Sequence, residues 1–514
     1  MPWFGALARP GGSLRAVLLG WALSFVIGLS SGWWVAPATR AFLELSWPAS
    51  IAMLLVFAAT CAQPHLLLAA PLIRWGARRL ERGASVSHSV MICLCLALLY
   101  TALDALVPRL FDAGLGYALH SAPRMRQLAD LGGVSLLTFS IVLGNLLVWR
   151  AWVAVRARPV QRTMILAHVV LAAAGWSAAA LYGGARNRAN ARALEASERA
   201  LQVGVIQGNV ANDVRLAWAR GDDRAAEKQL AAYMLPTEEL AGDSPQPELI
   251  VWPEAAYPAV FQQPRSTFQR GRANKFDRQV LRLNRPIAFG AYDLETVNGE
   301  RALYNSLFVI TPRYDNPGSM GTVQRYHKHE LLPFAETIPG VSQNAWFRRH
   351  LPSLGFFRSG EGPGGFEITT PRGEHVALGP IICSESLSAQ HVLATARRGA
   401  DILLNVGSDG WFGRFGEPQF HLAVARIRSV ETRLPQVRAA NTGISALILP
   451  GGEIAARSVL GVETALNINV PLTVAGESLI MRWGDWFGRA SLASGLLLAV
   501  FLMARRSAGT DLAR

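Results

Sequence analysis

Cysteine is scarce, with four in 514 residues, which excludes a disulfide scaffold. Charge is scarce as well. Only 17% of residues are charged against 51% hydrophobic, and the mean hydropathy of +0.23 is too apolar for an ordinary soluble protein. There is no internal repeat, no long low-complexity tract, and no His/Cys spacing of the kind that holds a metal. Neither metal nor organic cofactor is therefore expected. Acidic residues are the rarer sign, 36 against 50 basic ones, leaving a formal charge of +14. Such an excess can mark a nucleic-acid binder, but its placement argues otherwise. Much of the arginine sits in short connections between apolar runs, where it orients a chain in a membrane.

Those runs are long enough to span a bilayer at about residues 16–36, 47–73, 90–107, 133–148, 164–182 and 486–504. The first is followed by further spans rather than by a cleavage site and a soluble body, which argues against a removable signal peptide. Arg9 and Arg15 precede the first run, and Arg74, Arg78, Arg79 and Arg82 follow the second. Arg150, Arg156, Arg158 and Arg162 separate the fourth and fifth, and Arg505 and Arg506 follow the last. With six spans all four clusters share one side, so both termini are expected in the cytoplasm and the long region after the fifth span outside it. Cys61, Cys93 and Cys95 fall within the apolar runs and read as small packing residues. The connection at 108–131 mixes glycine, aromatics and charge, and is expected at the outer membrane surface.

From about residue 201 the texture changes to short β-rich runs alternating with helical stretches, the pattern of an α/β layered domain. Strands are expected at 201–207, 249–252, 286–290, 305–310, 378–383, 401–406 and 445–449. Helices are expected at 224–235, 268–283, 386–398 and 418–433. The organisation expected is a membrane domain over 1–185, a tether over 186–200, a catalytic α/β domain over 201–475 and a last span over 484–506.

Three β-to-loop junctions of this domain end in reactive residue types. Glu254 follows Ile-Val-Trp-Pro, Lys328 lies eight positions before Glu336, and Cys383 ends the apolar run that begins at Leu378. Singly, each has a plain explanation: a core thiol, or solvated charges. Together they are a workable set. A thiol needs a base or a positive neighbour, a carboxylate can take and return its proton, and an ammonium can hold an oxyanion. In the six-span topology Cys383 is also the one cysteine outside the membrane, with no partner for a disulfide.

At these residues the chain resembles the nitrilase superfamily, and more closely its membrane branch, the apolipoprotein N-acyltransferase family. The likeness runs through Val205-Ile-Gln-Gly-Asn209, Trp252-Pro-Glu254, Tyr326-His-Lys-His-Glu-Leu-Leu-Pro-Phe-Ala-Glu336 and Ile382-Cys-Ser-Glu385. It continues through Asn405-Val-Gly-Ser-Asp-Gly-Trp-Phe-Gly413, Ala440-Asn-Thr-Gly443 and Trp483-Gly-Asp-Trp-Phe487, and takes in the outer loop from Leu115-Gly-Tyr-Ala118.

The resemblance implies a multi-span α-helical membrane domain carrying an extracytoplasmic αββα sandwich, in a bacterial inner membrane with the catalytic domain on the periplasmic side. It implies Glu254 as general base, Lys328 as oxyanion stabiliser and Cys383 as nucleophile, with Glu336 orienting the lysine and Glu385 supporting the nucleophile. Trp218 and Trp411 would line the substrate mouth, although tryptophan also serves as a plain interfacial anchor. The implied reaction moves an acyl chain from a membrane phospholipid to the N-terminal amine of a diacylglyceryl-modified apolipoprotein, with the lipid bilayer as partner and no nucleic acid. The alternatives are a membrane-tethered amidase or hydrolase, and a non-catalytic lipid- or partner-binding homologue. Ser384 stands where the family usually has an aromatic, and Gly407-Ser408-Asp409 where it has Ser-Asn-Asp. Both departures bear on the choice of acceptor.

Overall fold

The computed structural model describes residues 2–80, 85–157, 159–263, 266–297, 299–316, 320–338, 346, 356–473 and 476–511. Arg82 and Arg158, two members of the orienting clusters, lie outside the described residues. The chain forms two compact units, one of Met1–Trp33, Ala52–Ala189 and Ser478–Arg514, the other of Trp34–Ile51 and Asn190–Glu477.

Among the described residues of the first unit and its connections, six helical segments are long and apolar enough to cross a membrane. They are Ser13–Ser31, Trp47–Leu80, Val86–Leu106, Met125–Arg156, Arg162–Glu195 and Trp486–Ala504. The second is broken between the helices Trp47–Thr60 and His65–Leu80. A stripe of small residues lets the first helix lie against both halves, since a Cβ on Gly20 would meet the Leu66 carbonyl and one on Gly28 would meet Ala58. Ser24 Oγ accepts from the Gln63 amide at 3.0 Å, partnering a backbone donor that the break releases. Cys93 and Cys95 are buried as expected of packing residues, whereas Cys61, at the break, is exposed. The 108–131 connection is more than a plain linker. Its short 3-10 turns Leu115–Leu119 and Met125–Leu128 bury Tyr117, Met125 and Leu128, and Gly116 donates to Thr138 Oγ1 at 2.9 Å.

The second unit holds two six-stranded sheets, ordered β12-β1-β2-β3-β4-β5 and β11-β10-β9-β8-β7-β6. The strands are β1 Ala200–Gln207, β2 Leu249–Val251, β3 Ile287–Val297, β4 Glu300–Thr311, β5 Thr322–His327 and β6 Phe366–Thr369. They continue with β7 His375–Ile382, β8 Ile402–Gly407, β9 Gln436–Ala440, β10 Ala446–Ile448, β11 Ile454–Arg457 and β12 Thr464–Pro471. The central strands β1-β2-β3 and β7-β8-β9 run parallel. Alternation assigns the faces. Leu201, Val203 and Val205 meet Ile402, Leu404 and Val406 in the core between the sheets, while Ile206, Ile250 and Phe289 face outward into an aromatic cluster with Phe276. The helices Asp223–Ala241 and Thr267–Leu283 supply that outer cluster. The helix Glu417–Thr432 packs Leu422 and Ala425 with Ala446 and Ile448 of the second sheet, so both sheets carry helices outside, the four-layer αββα arrangement.

All seven expected strands are present. Five more, β5, β6, β9, β11 and β12, were not among them. The helix expected to stop at 235, ahead of Pro236, continues through that proline to Ala241. The segment Trp34–Ile51 belongs with this unit: Trp34 packs edge-on against Phe412 at 5.3 Å, and Glu44 pairs with Arg220.

Candidate active site

Glu254 leaves β2 through Trp252 and Pro253, and this loop stays zipped to β3 by Trp252 N to Ala288 O at 2.8 Å and Gly290 N to Pro253 O at 3.1 Å. Gly290 is required by that approach, since a Cβ there would lie 2.4 Å from the Ala255 nitrogen and 2.6 Å from the Glu254 Cα. Lys328 directly follows β5, with its amide donating to the Asn305 carbonyl at 2.8 Å. Cys383 follows β7 and opens a 3-10 turn, Cys383–Leu387. Its φ of 52° is left-handed, which costs a non-glycine residue on the order of 1–3 kcal/mol and persists only where the surroundings hold it.

The structure brings Glu254, Lys328 and Glu336 together and buries them, at 7%, 1% and 9% exposure. Lys328 Nζ is 2.7 Å from Glu336 Oε2 and 3.6 Å from Glu254 Oε1. Asn305 Nδ2 donates to Glu254 Oε1 at 2.7 Å and to Glu336 Oε1 at 2.8 Å. Burial alone would push the Lys328 ammonium toward neutrality, but Glu336 and Glu254 outweigh it and raise its pKa. Cys383 belongs to the same electrostatic group. Burial pushes its thiol well above the ordinary value, Glu254 pushes it further, and Lys328 opposes both. The resting sulfur is therefore a thiol, and proton transfer to Glu254 is the route that leaves the net charge of the buried set unchanged.

Glu385 holds the Cys383 turn to the lysine loop. One oxygen accepts from the Ile382 amide at 2.7 Å, and the other from Tyr326 Oη and the His329 amide, both at 2.7 Å. Burial raises its pKa, and the hydrogen bonds offset part of that rise. Ser384 Oγ donates to the Glu330 carbonyl at 3.3 Å. Trp411 lies under the Arg215 guanidinium, 5.2 Å from its ring centroid, and Arg215 also donates to Ser408. Trp218 packs on Tyr292 at 5.8 Å. Tyr292 in turn senses the charges of Arg215, Glu254, Glu336 and Lys328, so Trp218 approaches the cluster through Tyr292, and Trp411 through Arg215 and then Tyr292.

Sequence reasoning did not single out Asn305, Tyr326 or the buried set Asp409, His421 and Arg438. A polar residue opening an apolar strand was the available signal for Asn305. Tyr326 and Asp409 stood inside the motifs, His421 only within the helix expected at 418–433, and Arg438 in none of them. Among the described residues, Asp409, Glu417 and His421 offer ligand atoms close enough for a metal. Arg438 Nη2 already sits 2.8 Å from Asp409 Oδ2 and supplies the positive charge there.

Residues 202–477 match the carbon-nitrogen hydrolase family, and residues 1–147 match the apolipoprotein N-acyltransferase N-terminal domain. An apolipoprotein N-acyltransferase of Bdellovibrio bacteriovorus is 30% identical over 482 residues, covering 91% of this chain and 82% of that protein. One of Geobacter metallireducens is 29% identical over 503 residues, covering 94% and 87%. One of Pseudomonas putida is 29% identical over 505 residues, covering 96% and 90%. With a hydrolase sandwich and an N-terminal helical domain both matched, and such relatives aligned along most of its length, the chain belongs to the apolipoprotein N-acyltransferase family.

Proposed function

We propose that the protein transfers an acyl chain from a membrane phospholipid to the N-terminal amine of a diacylglyceryl-cysteine apolipoprotein, through a thioester on Cys383. The observation that carries this reading is the buried Glu254–Lys328–Glu336 cluster acting electrostatically on the Cys383 thiol. In the first half, Cys383 Sγ attacks the ester carbonyl as Glu254 takes its proton, and Lys328 stabilises the oxyanion. The C–O bond breaks, Glu254 returns the proton to the leaving alkoxide, and a lysophospholipid departs. In the second half, the acceptor amine attacks the thioester and gives a proton to Glu254, the C–S bond breaks, and that proton returns to sulfur. Glu336 orients Lys328, and Glu385 supports the turn.

Trp218, Trp411 and Ser384 are assigned to the substrate mouth on their nearness to this cluster. The six apolar helices support a multi-pass membrane location. The arginine clusters support a catalytic unit outside the cytoplasm, and the family resemblance supports a bacterial inner membrane with that unit on the periplasmic side. Both substrates are then confined to one bilayer, which raises their effective concentration.

The test is mass spectrometry of the purified full chain after incubation with phospholipid vesicles. The expected result is an acyl mass on Cys383, absent from Cys383→Ala and discharged by a diacylglyceryl-cysteine peptide with formation of its amide. An unmodified wild-type thiol would sink the reading, and release of free fatty acid with no amide would favour the hydrolase alternative.

A further inference from the structure

The left-handed turn that carries the nucleophile is also gripped by a single helix, Glu417–Thr432. Two residues seven apart, and so on one face, reach it. His421 Nε2 lies 3.0 Å from the Cys383 carbonyl and 2.8 Å from Ser386 Oγ. Arg428, fully buried, donates to the Ser386 carbonyl at 2.8 Å and the Leu387 carbonyl at 2.9 Å. A carbonyl only accepts, so Nε2 of His421 carries a proton. Its other nitrogen, Nδ1, is 3.1 Å from Asp409 Oδ1 and 3.3 Å from Glu417 Oε1. Arg438 holds Asp409 in turn, at 3.1 and 2.8 Å. The chain leaves room for that carboxylate, since a Cβ on Gly443 would lie 2.0 Å from Asp409 Oδ2. Burial and Arg438 both disfavour the imidazolium, yet Asp409 and Glu417 outweigh them, bringing His421 up to about 9.

We infer that His421 is a positioning residue for the nucleophile, holding the Cys383 carbonyl so that the thiol stays beside Glu254 and Lys328; the inference rests on Cys383 being the acylated residue. The bond joins the main chain of the nucleophile itself, in a conformation its own backbone disfavours. His421 does not touch the reacting atoms. A chain of three side chains, Arg438, Asp409 and His421, thereby carries the rigidity of β9 and the loop after β8 to the nucleophile turn.

Two near-isosteric variants separate this role from ordinary core support. His421→Gln places an amide nitrogen where Nε2 was and keeps a donor for the Cys383 carbonyl. His421→Asn places it where Nδ1 was, keeping the Asp409 contact and losing the carbonyl. Single-turnover acylation of Cys383 in the full chain is followed by mass spectrometry, with vesicles of phosphatidylethanolamine and phosphatidylglycerol as donor. Expected are the same final acyl occupancy in all three proteins and lipid half-saturation within about twofold. The rate should fall by about tenfold or more in His421→Asn and stay within about threefold in His421→Gln, the loss of one charge-assisted bond. Wild-type rates in His421→Asn, or equal losses in the two variants, would overturn the assignment. A wild-type Cys383 that never takes an acyl group would instead bring down the nucleophile reading, and this inference with it.

Discussion

Glu336, not Glu254, is the nearest anion to Lys328: its Oε2 lies 2.7 Å from Nζ, against 3.6 Å for Glu254 Oε1. The two carboxylates therefore have unequal duties. Glu336 also accepts from the Leu332 amide at 2.8 Å, so its position is fixed by main chain. Glu254 has the looser hold on the ammonium, which suits it to the proton-exchanging role proposed above.

Glu336→Gln tests that division. The substitution keeps the shape and removes the charge closest to a buried ammonium, leaving Lys328 to turn toward Glu254 and hold it ionised. Losing a hydrogen bond to a charged group is worth about 1.5–3 kcal/mol. Acyl transfer should slow roughly tenfold to a hundredfold, with the KM for phospholipid little changed. A selective rise in KM would assign Glu336 to lipid binding instead.

Glu254→Gln should split two properties of Cys383. The Glu254 charge contributes to the raised thiol pKa while Lys328 lowers it, so neutralising Glu254 brings the pKa down. Iodoacetamide, which reacts with thiolate, should then alkylate Cys383 faster than in the wild type at pH 8. Acyl transfer should nevertheless be abolished for want of a proton acceptor. Slower alkylation together with lost transfer would mean that Glu254 helps form the thiolate by some other route than its charge.

Gly290→Ala addresses the scaffold. The added methyl meets the Ala255 nitrogen at 2.4 Å, the Glu254 Cα at 2.6 Å and the Pro253 oxygen at 2.6 Å. None of these is the yielding end of a side chain, so the Glu254 loop must move off β3. A displacement of this kind costs about a hundredfold in rate when it misplaces a catalytic group. The expected result is a folded protein with transfer reduced by about that factor, read by acyl-transfer assay alongside circular dichroism. Unchanged activity would show that the loop tolerates the shift.

Much of this was legible in the sequence because the chemistry sits at strand ends, where an apolar run stops at a Glu or a Cys. β9 was not legible. Its Gln436 and Arg438 alternate with Val437 and Ala439, which reads as a half-solvated stretch, yet all five residues are buried. Arg438 tolerates burial because Asp409 neutralises it, and no local pattern announces a partner 29 residues away. His421 was obscured similarly, since a histidine on a polar helix reads as surface. Asn305 opens the apolar run 305–310 in the sequence but sits mid-strand in β4, and its two carboxylate partners come from separate loops.

The His421 cluster also gives the fold a pH dependence. An imidazole held at about 9 against an ordinary 6.5 binds its proton more tightly folded than unfolded. Its contribution to stability is complete below about 6.5 and is lost as pH rises through about 9. Glu417, raised to about 7 chiefly by burial and then by Asp409, acts with the same sign in a lower window, between its ordinary 4.5 and about 7. The groups facing His421 are Asp409, Glu417 and Arg438. The gap between 6.5 and about 9 corresponds to roughly 3 kcal/mol, or about 5 °C for a domain of this size. Unfolding temperatures of the detergent-purified chain, followed by tryptophan fluorescence from pH 6 to pH 9.5, should fall by about that amount in the wild type. His421→Gln should start lower and fall less across this range, what remains coming from Glu417, which rises further once the imidazolium that lowers it is gone. Parallel curves for the two proteins would mean that His421 folds as a neutral imidazole, leaving its grip on the Cys383 carbonyl to an uncharged Nε2–H.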